Sequence, residues 1–231
     1  MLAPAGAGMC LAPFSVLDSR IMLVLYARDG WGSMLVEAQL DWYGLEYKRE
    51  QVGDLLGSEQ ARAALAAINP IAQVPTLVLP GGEVLTESVA ITLYLADMTR
   101  RTDFVPAPDE PTRAAFLRWL VFLATNVYPT FTYADLPSRF VAVEAAQEPF
   151  RAAVDDYARR LWKIVEAAAG SPWYLGSRFS AIDIYIAVMT RWRPGRDWFK
   201  KNTERLHAIA HALDSEARLG GAWRRNLGES S

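Results

Sequence analysis

Apolar residues along this chain follow two rhythms, and the change from one to the other divides it. Residues 21–26 (IMLVLY) form a short unbroken apolar run, the pattern of a strand buried on both faces. A turn at residues 28–32 (RDGWG) follows. From Ser33, the residues Leu35, Val36, Ala38, Leu40, Trp42 and Tyr43 recur at helical spacing until Gly44, which tolerates the left-handed geometry of a helix end. Residues 45–52 alternate as a second strand, the Ala-rich stretch 58–68 reads as a helix, and residues 74–79 as a third strand. Pro80, Gly81 and Gly82 make a hairpin turn into a short fourth strand at 83–86, and residues 88–98 are again helical.

The order is thus β-α-β-α-β-β-α within about 78 residues. Strands alternating with helices predict a parallel pair, and the tight turn adds an antiparallel one. Residues 99–111 are charged, carry prolines and have no period, as a linker does. Beyond them strand signals vanish, and helices are predicted at about 112–127, 139–168, 180–192 and 202–215. The division is an arm at residues 1–20, an α/β domain over 21–98, a linker over 99–111 and an all-α domain over 112–231.

Composition narrows the function classes. The 231 residues are 52% hydrophobic, enough for a sizeable core, so intrinsic disorder is excluded. A net charge of −2 offers no general attraction to nucleic acid or to an anionic membrane surface, so neither is an expected partner. No apolar run approaches the roughly 20 residues that span a bilayer. The N-terminal arm has no positive charge before Arg20, so a secretory signal lacks its basic region, and Met22 stands as a natural start. The single cysteine, Cys10, lies in that arm. It cannot form an intrachain disulfide or a zinc thiolate cluster, which fits a reducing cytoplasm, and it leaves the folded body without a thiol. His207 and His211 are spaced to share a helix face, but Ala208 stands where a zinc hydrolase needs glutamate, so no metal is expected.

The most informative stretch is residues 69–97 (NPIAQVPTLVLPGGEVLTESVAITLYLAD). A trans Pro75 inside a core strand would waste a ladder donor. A cis Val74–Pro75 bond would instead turn the backbone and leave the Val74 N–H and C=O facing outward. Glu87 and Ser88 fall where a strand meets a helix N-terminus, whose free N–H groups and dipole favour a carboxylate. Ser88 taken alone reads as an N-cap.

In combination, N-P-x-x-x-V-P-T-L, a short hairpin and E-S-x-A-I resemble the N-terminal signature of the cytosolic glutathione transferase superfamily, and the resemblance extends over about residues 21–225. It implies a thioredoxin-like N-terminal domain, an all-helical C-terminal domain, usually a homodimer, and glutathione as co-substrate. By that resemblance the main chain of Val74, next to Pro75, holds the cysteinyl backbone of glutathione. Glu87 and Ser88 hold its γ-glutamyl end, and Gln73 lies near the glycyl carboxylate. A second box, from Phe179 to Tyr185, also matches the family; Ser180 followed by Asp183 is a capping box opening a helix that is apolar all round.

The family's chemistry begins by ionising the glutathione thiol, whose free pKa is near 8.5. By resemblance, Ser33 falls where theta-like members place their activating serine, Tyr26 where tyrosine-type members place theirs, and Gly32 where beta-class members carry a cysteine. Ser33 is favoured because a helix N-terminus reinforces its hydroxyl, with an N-cap as the plain alternative. Trp31, Trp119, Phe122, Asn126, Tyr128 and Tyr133 are candidates to line a second-substrate pocket, although the helical spacing of most of them fits core positions better. The expected reaction is conjugation of glutathione to a small apolar electrophile. The alternatives are a glutathione-dependent isomerase or reductase, and a glutathione-binding protein of this fold without turnover.

Overall fold

The structure is a computed structural model that describes residues 22–228. Strand β1 (Leu23–Ala27) leads through a turn into helix α1 (Ser33–Tyr43), then β2 (Tyr47–Gln51), α2 (Glu59–Ala66), β3 (Thr76–Val78), β4 (Val84–Leu85) and α3 (Ser88–Thr99). The four strands lie in the order β2-β1-β3-β4. The β1–β2 pair is parallel, with Leu23 opposite Tyr47, and both β1–β3 and β3–β4 are antiparallel. This is the thioredoxin-like arrangement. Gly44 ends α1 in the left-handed conformation (φ 68°), and its N–H donates to the Asp41 carbonyl at 3.0 Å.

β1 differs from the doubly buried strand expected of its apolar run. Leu23, Leu25 and Ala27 are buried, whereas Val24 and Tyr26 are half-buried. The physical reason is unequal cover. α1 and α3 pack one face of the sheet into the main core, while the other carries only a small cluster of Leu55, Leu65 and Val74 with Tyr26 and Trp31 beside it.

The C-terminal portion is helical: α4 (Arg113–Phe122), a π turn (Leu123–Val127), α5 (Tyr128–Asp135), α6 (Gln147–Ala168), α7 (Ala181–Met189), α8 (Arg196–Asn202), α9 (Glu204–Asp214) and α10 (Gly220–Leu227). The helix expected to stop at 127 continues to Asp135, because the π turn carries it past Pro129. Proline has no N–H for the carbonyl four residues back and its ring crowds that carbonyl. A wider turn relieves both problems, and the Tyr128 N–H bonds the Leu123 carbonyl instead. The helix expected from 139 begins only at Gln147, after two 3-10 turns, and α8 and α10 are short elements that the periodicity did not separate.

Residues 100–112, between α3 and α4, carry no regular element but are anchored. Phe104 and Val105 are buried, Phe104 packs against Trp42, Tyr43 and Phe179, and its carbonyl accepts the Ala181 N–H at 3.0 Å. One continuous core therefore runs from β1 and α1 through Phe104 into α4, α7, α9 and α10. At its centre α7 is buried along its whole length, from Ala181 to Met189. Asp183 closes the predicted box: its carboxylate accepts the Ser180 N–H and the Tyr174 N–H, both at 2.7 Å. Burial pushes its pKa up to about 7, although those hydrogen bonds pull the other way. The expected arm at residues 1–20, with Cys10, and the last three residues lie outside the described residues.

Candidate functional site

Two backbone features of the sheet portion mark a candidate ligand site. The first is the Val74–Pro75 bond, which is cis as expected. Asn69 and Thr76 shape the approach to it. The Asn69 amide donates to the Gln73 carbonyl and to Thr76 Oγ1, both at 3.0 Å, and Thr76 Oγ1 donates to the same carbonyl at 2.7 Å. Gln73 is thus held by its main chain with its side chain exposed, while Val74 is buried. Val74 takes part in none of the loop and turn backbone hydrogen bonds found among the described residues, so its N–H and C=O are free for an extended ligand backbone.

The second feature is the start of α3. Glu87 is its N-cap at φ 63° and ψ 107°, a conformation rare for a residue with a side chain. Such a position costs on the order of 1–3 kcal/mol and recurs where ligands are clamped. Ser88 is the first helical residue rather than the cap, which removes the capping alternative for it. Its carbonyl accepts from Thr92 Oγ1 at 2.8 Å, and the Thr92 hydroxyl lies 3.3 Å from that of Tyr185. Burial pushes the Tyr185 pKa up to about 12 against the opposing pull of the Ser88 and Thr92 hydroxyls. The first N–H groups of α3 have no partner within the helix, and the Glu87 side chain beside them is exposed. An acid next to free N–H donors can pair with an ammonium and a carboxylate on one small molecule.

The turn after β1 lies against Val74. Gly30 takes φ 73°, its N–H donates to Asn226 Oδ1 at 3.1 Å, and its carbonyl accepts from Trp192 Nε1 at 2.7 Å. Two elements of the helical portion therefore hold this loop. Asn226 in turn donates to the buried Glu37 at 2.8 Å, a carboxylate also bonded by Arg49 and Arg225. Trp31 packs beside Val74, with the Arg28 guanidinium 4.9 Å from its ring centre. Gly32 has no room for a side chain. A Cβ built there would overlap the Tyr128 hydroxyl and come within 3.0 Å of the Val74 carbonyl oxygen.

The two expected activating hydroxyls are placed differently from that expectation. Ser33 is fully buried; its Oγ accepts the Arg28 N–H and donates to the Arg28 carbonyl, both at 3.0 Å. That hydroxyl bridges the two ends of the turn and has no proton to offer a ligand. It is not an N-cap either, since Gly32 holds that position. Tyr26 lies on the α2 face of the sheet, packed against Leu55, Leu65 and Val74.

The expected second-substrate residues scatter. Trp119 is a core residue, packed edge-on to Phe122 and Tyr174. Phe122 is half-buried beside it, Asn126 donates to Thr125 Oγ1 at 3.1 Å, and Tyr133 pairs with Phe140. Trp31, packed beside Val74, and Tyr128, whose hydroxyl lies over Gly32, adjoin the candidate site. The directions of Asn126, Tyr128 and Tyr133 could not be read from helical spacing, because the π turn at Leu123–Val127 changes the register there. A cavity of about 200 Å³ lies behind Phe131, lined by Asp155, Arg193 and Pro194 among others, and includes none of the expected ligands. Among the described residues no three His, Cys, Asp or Glu side chains gather as metal ligands, and no helix is long and apolar enough to cross a membrane.

Comparison with known proteins adds a third line. Residues 35–98 match the family described as glutathione S-transferase, N-terminal domain. The chain is 34% identical over 206 residues to the uncharacterized GST-like protein YncG of Escherichia coli K12, spanning 89% of this chain and 98% of that one. It is 33% identical over 147 residues to glutathione S-transferase GstA of Escherichia coli O157:H7, covering 62% of this chain and 67% of the relative. Among solved structures, a glutathione transferase homologue from Sulfitobacter with bound glutathione superposes with a TM-score of 0.75 at 24% identity, over 87% of this chain and 96% of that one.

Proposed function

Because the chain belongs to the cytosolic glutathione S-transferase superfamily, we propose that it binds glutathione at Val74 and the start of α3 and joins its thiolate to a small apolar electrophile. One observation carries the reading: Val74, whose main chain makes no loop or turn hydrogen bond, belongs to the same small sheet portion as a helix start whose N-cap, Glu87, is held at positive φ. Val74 would pair with the cysteinyl backbone. Glu87 would meet the γ-glutamyl ammonium, and the first N–H groups of α3 with Ser88 its carboxylate. The exposed Gln73 side chain would reach the glycyl end. The Sulfitobacter homologue, a protein of the same fold, holds glutathione, which supports glutathione as the ligand. The resemblance extends the reading to a homodimer working in the cytoplasm, which light scattering and cell fractionation would check.

Calorimetry with glutathione and a conjugation assay with chlorodinitrobenzene test the proposal together. Binding and turnover are expected. Glu87→Gln, which keeps shape and removes charge, should weaken binding about tenfold, the scale of one charge-assisted hydrogen bond. Absence of binding by the unaltered protein would overturn the site. Ser33 favours a second reading, a glutathione-binding protein without turnover, because its hydroxyl proton is already donated to Arg28. Binding without conjugation would select that reading.

A further inference from the structure

We propose that the hydroxyl of Tyr128, delivered from the helical portion, is the donor to the glutathione sulfur. The inference rests on the glutathione reading above and adds to it the residue that handles the thiol. Three observations carry it. First, position: the Tyr128 hydroxyl oxygen and the Val74 carbonyl oxygen both lie within 3.0 Å of the point where a side chain on Gly32 would begin. A cysteinyl residue paired with the Val74 main chain has its sulfur only one methylene from its backbone, so that sulfur falls in the same small space at the mouth of α1. Glycine at position 32 leaves the space to the tyrosine.

Second, availability. Of the three hydroxyls near the turn, Ser33 has donated its proton to Arg28 and Tyr26 lies under α2. The influences on the Tyr128 hydroxyl are burial followed by the charges of Asp135, Tyr185 and Glu87; no hydrogen bond is among them. All of them raise its pKa above the ordinary tyrosine range, so it remains a protonated donor at neutral pH. Third, rigidity. The ring is set edge-on between Phe131 and Trp192, with centroids 6.1 and 5.6 Å away, and the Trp192 indole N–H bonds the Gly30 carbonyl at 2.7 Å. The π turn that ends on the Tyr128 N–H fixes the direction of its side chain.

In chemical terms the S–H bond breaks, its proton leaves to water, and the thiolate accepts the Tyr128 O–H as a hydrogen bond. The sulfur lone pair then forms the C–S bond to the aryl carbon of chlorodinitrobenzene as the C–Cl bond breaks and chloride departs. No electrons are exchanged with a third reagent.

The test titrates the thiol of bound glutathione by its thiolate ultraviolet absorbance, alongside calorimetry, thermal melting and conjugation of chlorodinitrobenzene. In the unaltered protein the midpoint should fall below the free-thiol value near 8.5. Tyr128→Phe keeps the ring and should still bind glutathione. Its midpoint should move up toward the free value, and turnover should drop by about tenfold for each pH unit of that shift. Gly32→Ala, compatible with the local φ of −56°, should push the hydroxyl out of its seat and raise the midpoint of the glutathione it still binds, with weaker binding expected because the same methyl comes within 3.0 Å of the Val74 carbonyl; it covers a Tyr128→Phe protein that fails to fold. Glutathione binding with an unchanged midpoint in a folded variant overturns the Tyr128 assignment and leaves the glutathione site standing. No binding by the unaltered protein overturns the site and the assignment together.

Discussion

Ser33 has the right atom in the right neighbourhood and the wrong partner. Its hydroxyl completes the turn between β1 and α1 by accepting one Arg28 group and donating to the other. Removing it leaves the Arg28 N–H without a partner, while the Arg28 carbonyl keeps the Trp31 N–H at 3.1 Å, so Ser33→Ala should cost about 1–3 kcal/mol in a denaturant or thermal melt while glutathione still binds by calorimetry. Loss of binding with an unchanged melt would show the opposite role. Sequence reading went astray here for a definable reason. Spacing locates a hydroxyl along the chain, whereas its partner depends on how the turn folds back. Val74 was legible because a proline before a strand constrains its own backbone. Glu87 was legible by position and not by conformation, since nothing in the letters announces a φ of 63°. Tyr128 was visible as a residue near the site, but its direction comes from a widened turn.

At the scale of elements, the local signals that survived are those that satisfy their own hydrogen bonds nearby. The Gly44 stop and the Ser180–Asp183 box are of this kind. The weaker readings, α5, α8 and α10, are short helices whose boundaries are set by packing and, for α5, by the way Pro129 is absorbed into a π turn instead of ending the helix. The box also carries a pH dependence. Asp183 is raised to about 7 in the folded chain against about 3.9 when unfolded. The native state therefore holds the extra proton between those values. The stability this contributes is complete below about pH 4 and is lost as pH rises through about 7. Asp183→Asn removes one of two acceptor oxygens from buried backbone donors and should cost about 1–3 kcal/mol. The gap in melting temperature between the parent and this variant should narrow from about pH 4 to 7; a constant gap would refute the buried titration.

Across the whole molecule, the sequence divided the chain into two bodies and a linker, and the change of rhythm near residue 99 is real in the structure. What it could not show is how tightly the pieces are joined. Phe104 and Val105, an apolar pair inside a charged segment, are the one local hint that the linker is anchored. The tie between Asn226, Gly30 and Glu37 links positions almost 200 residues apart in the chain, with no local signature at all. The unbroken core has a consequence for cooperativity. A molecule whose sheet and helices share one interior has no internal seam along which half of it can melt first. Near- and far-ultraviolet dichroism should therefore trace a single coincident unfolding transition, and saturating glutathione should shift that transition as a unit by mass action. A ligand held almost entirely by the first hundred residues would then protect the last hundred from unfolding to the same degree.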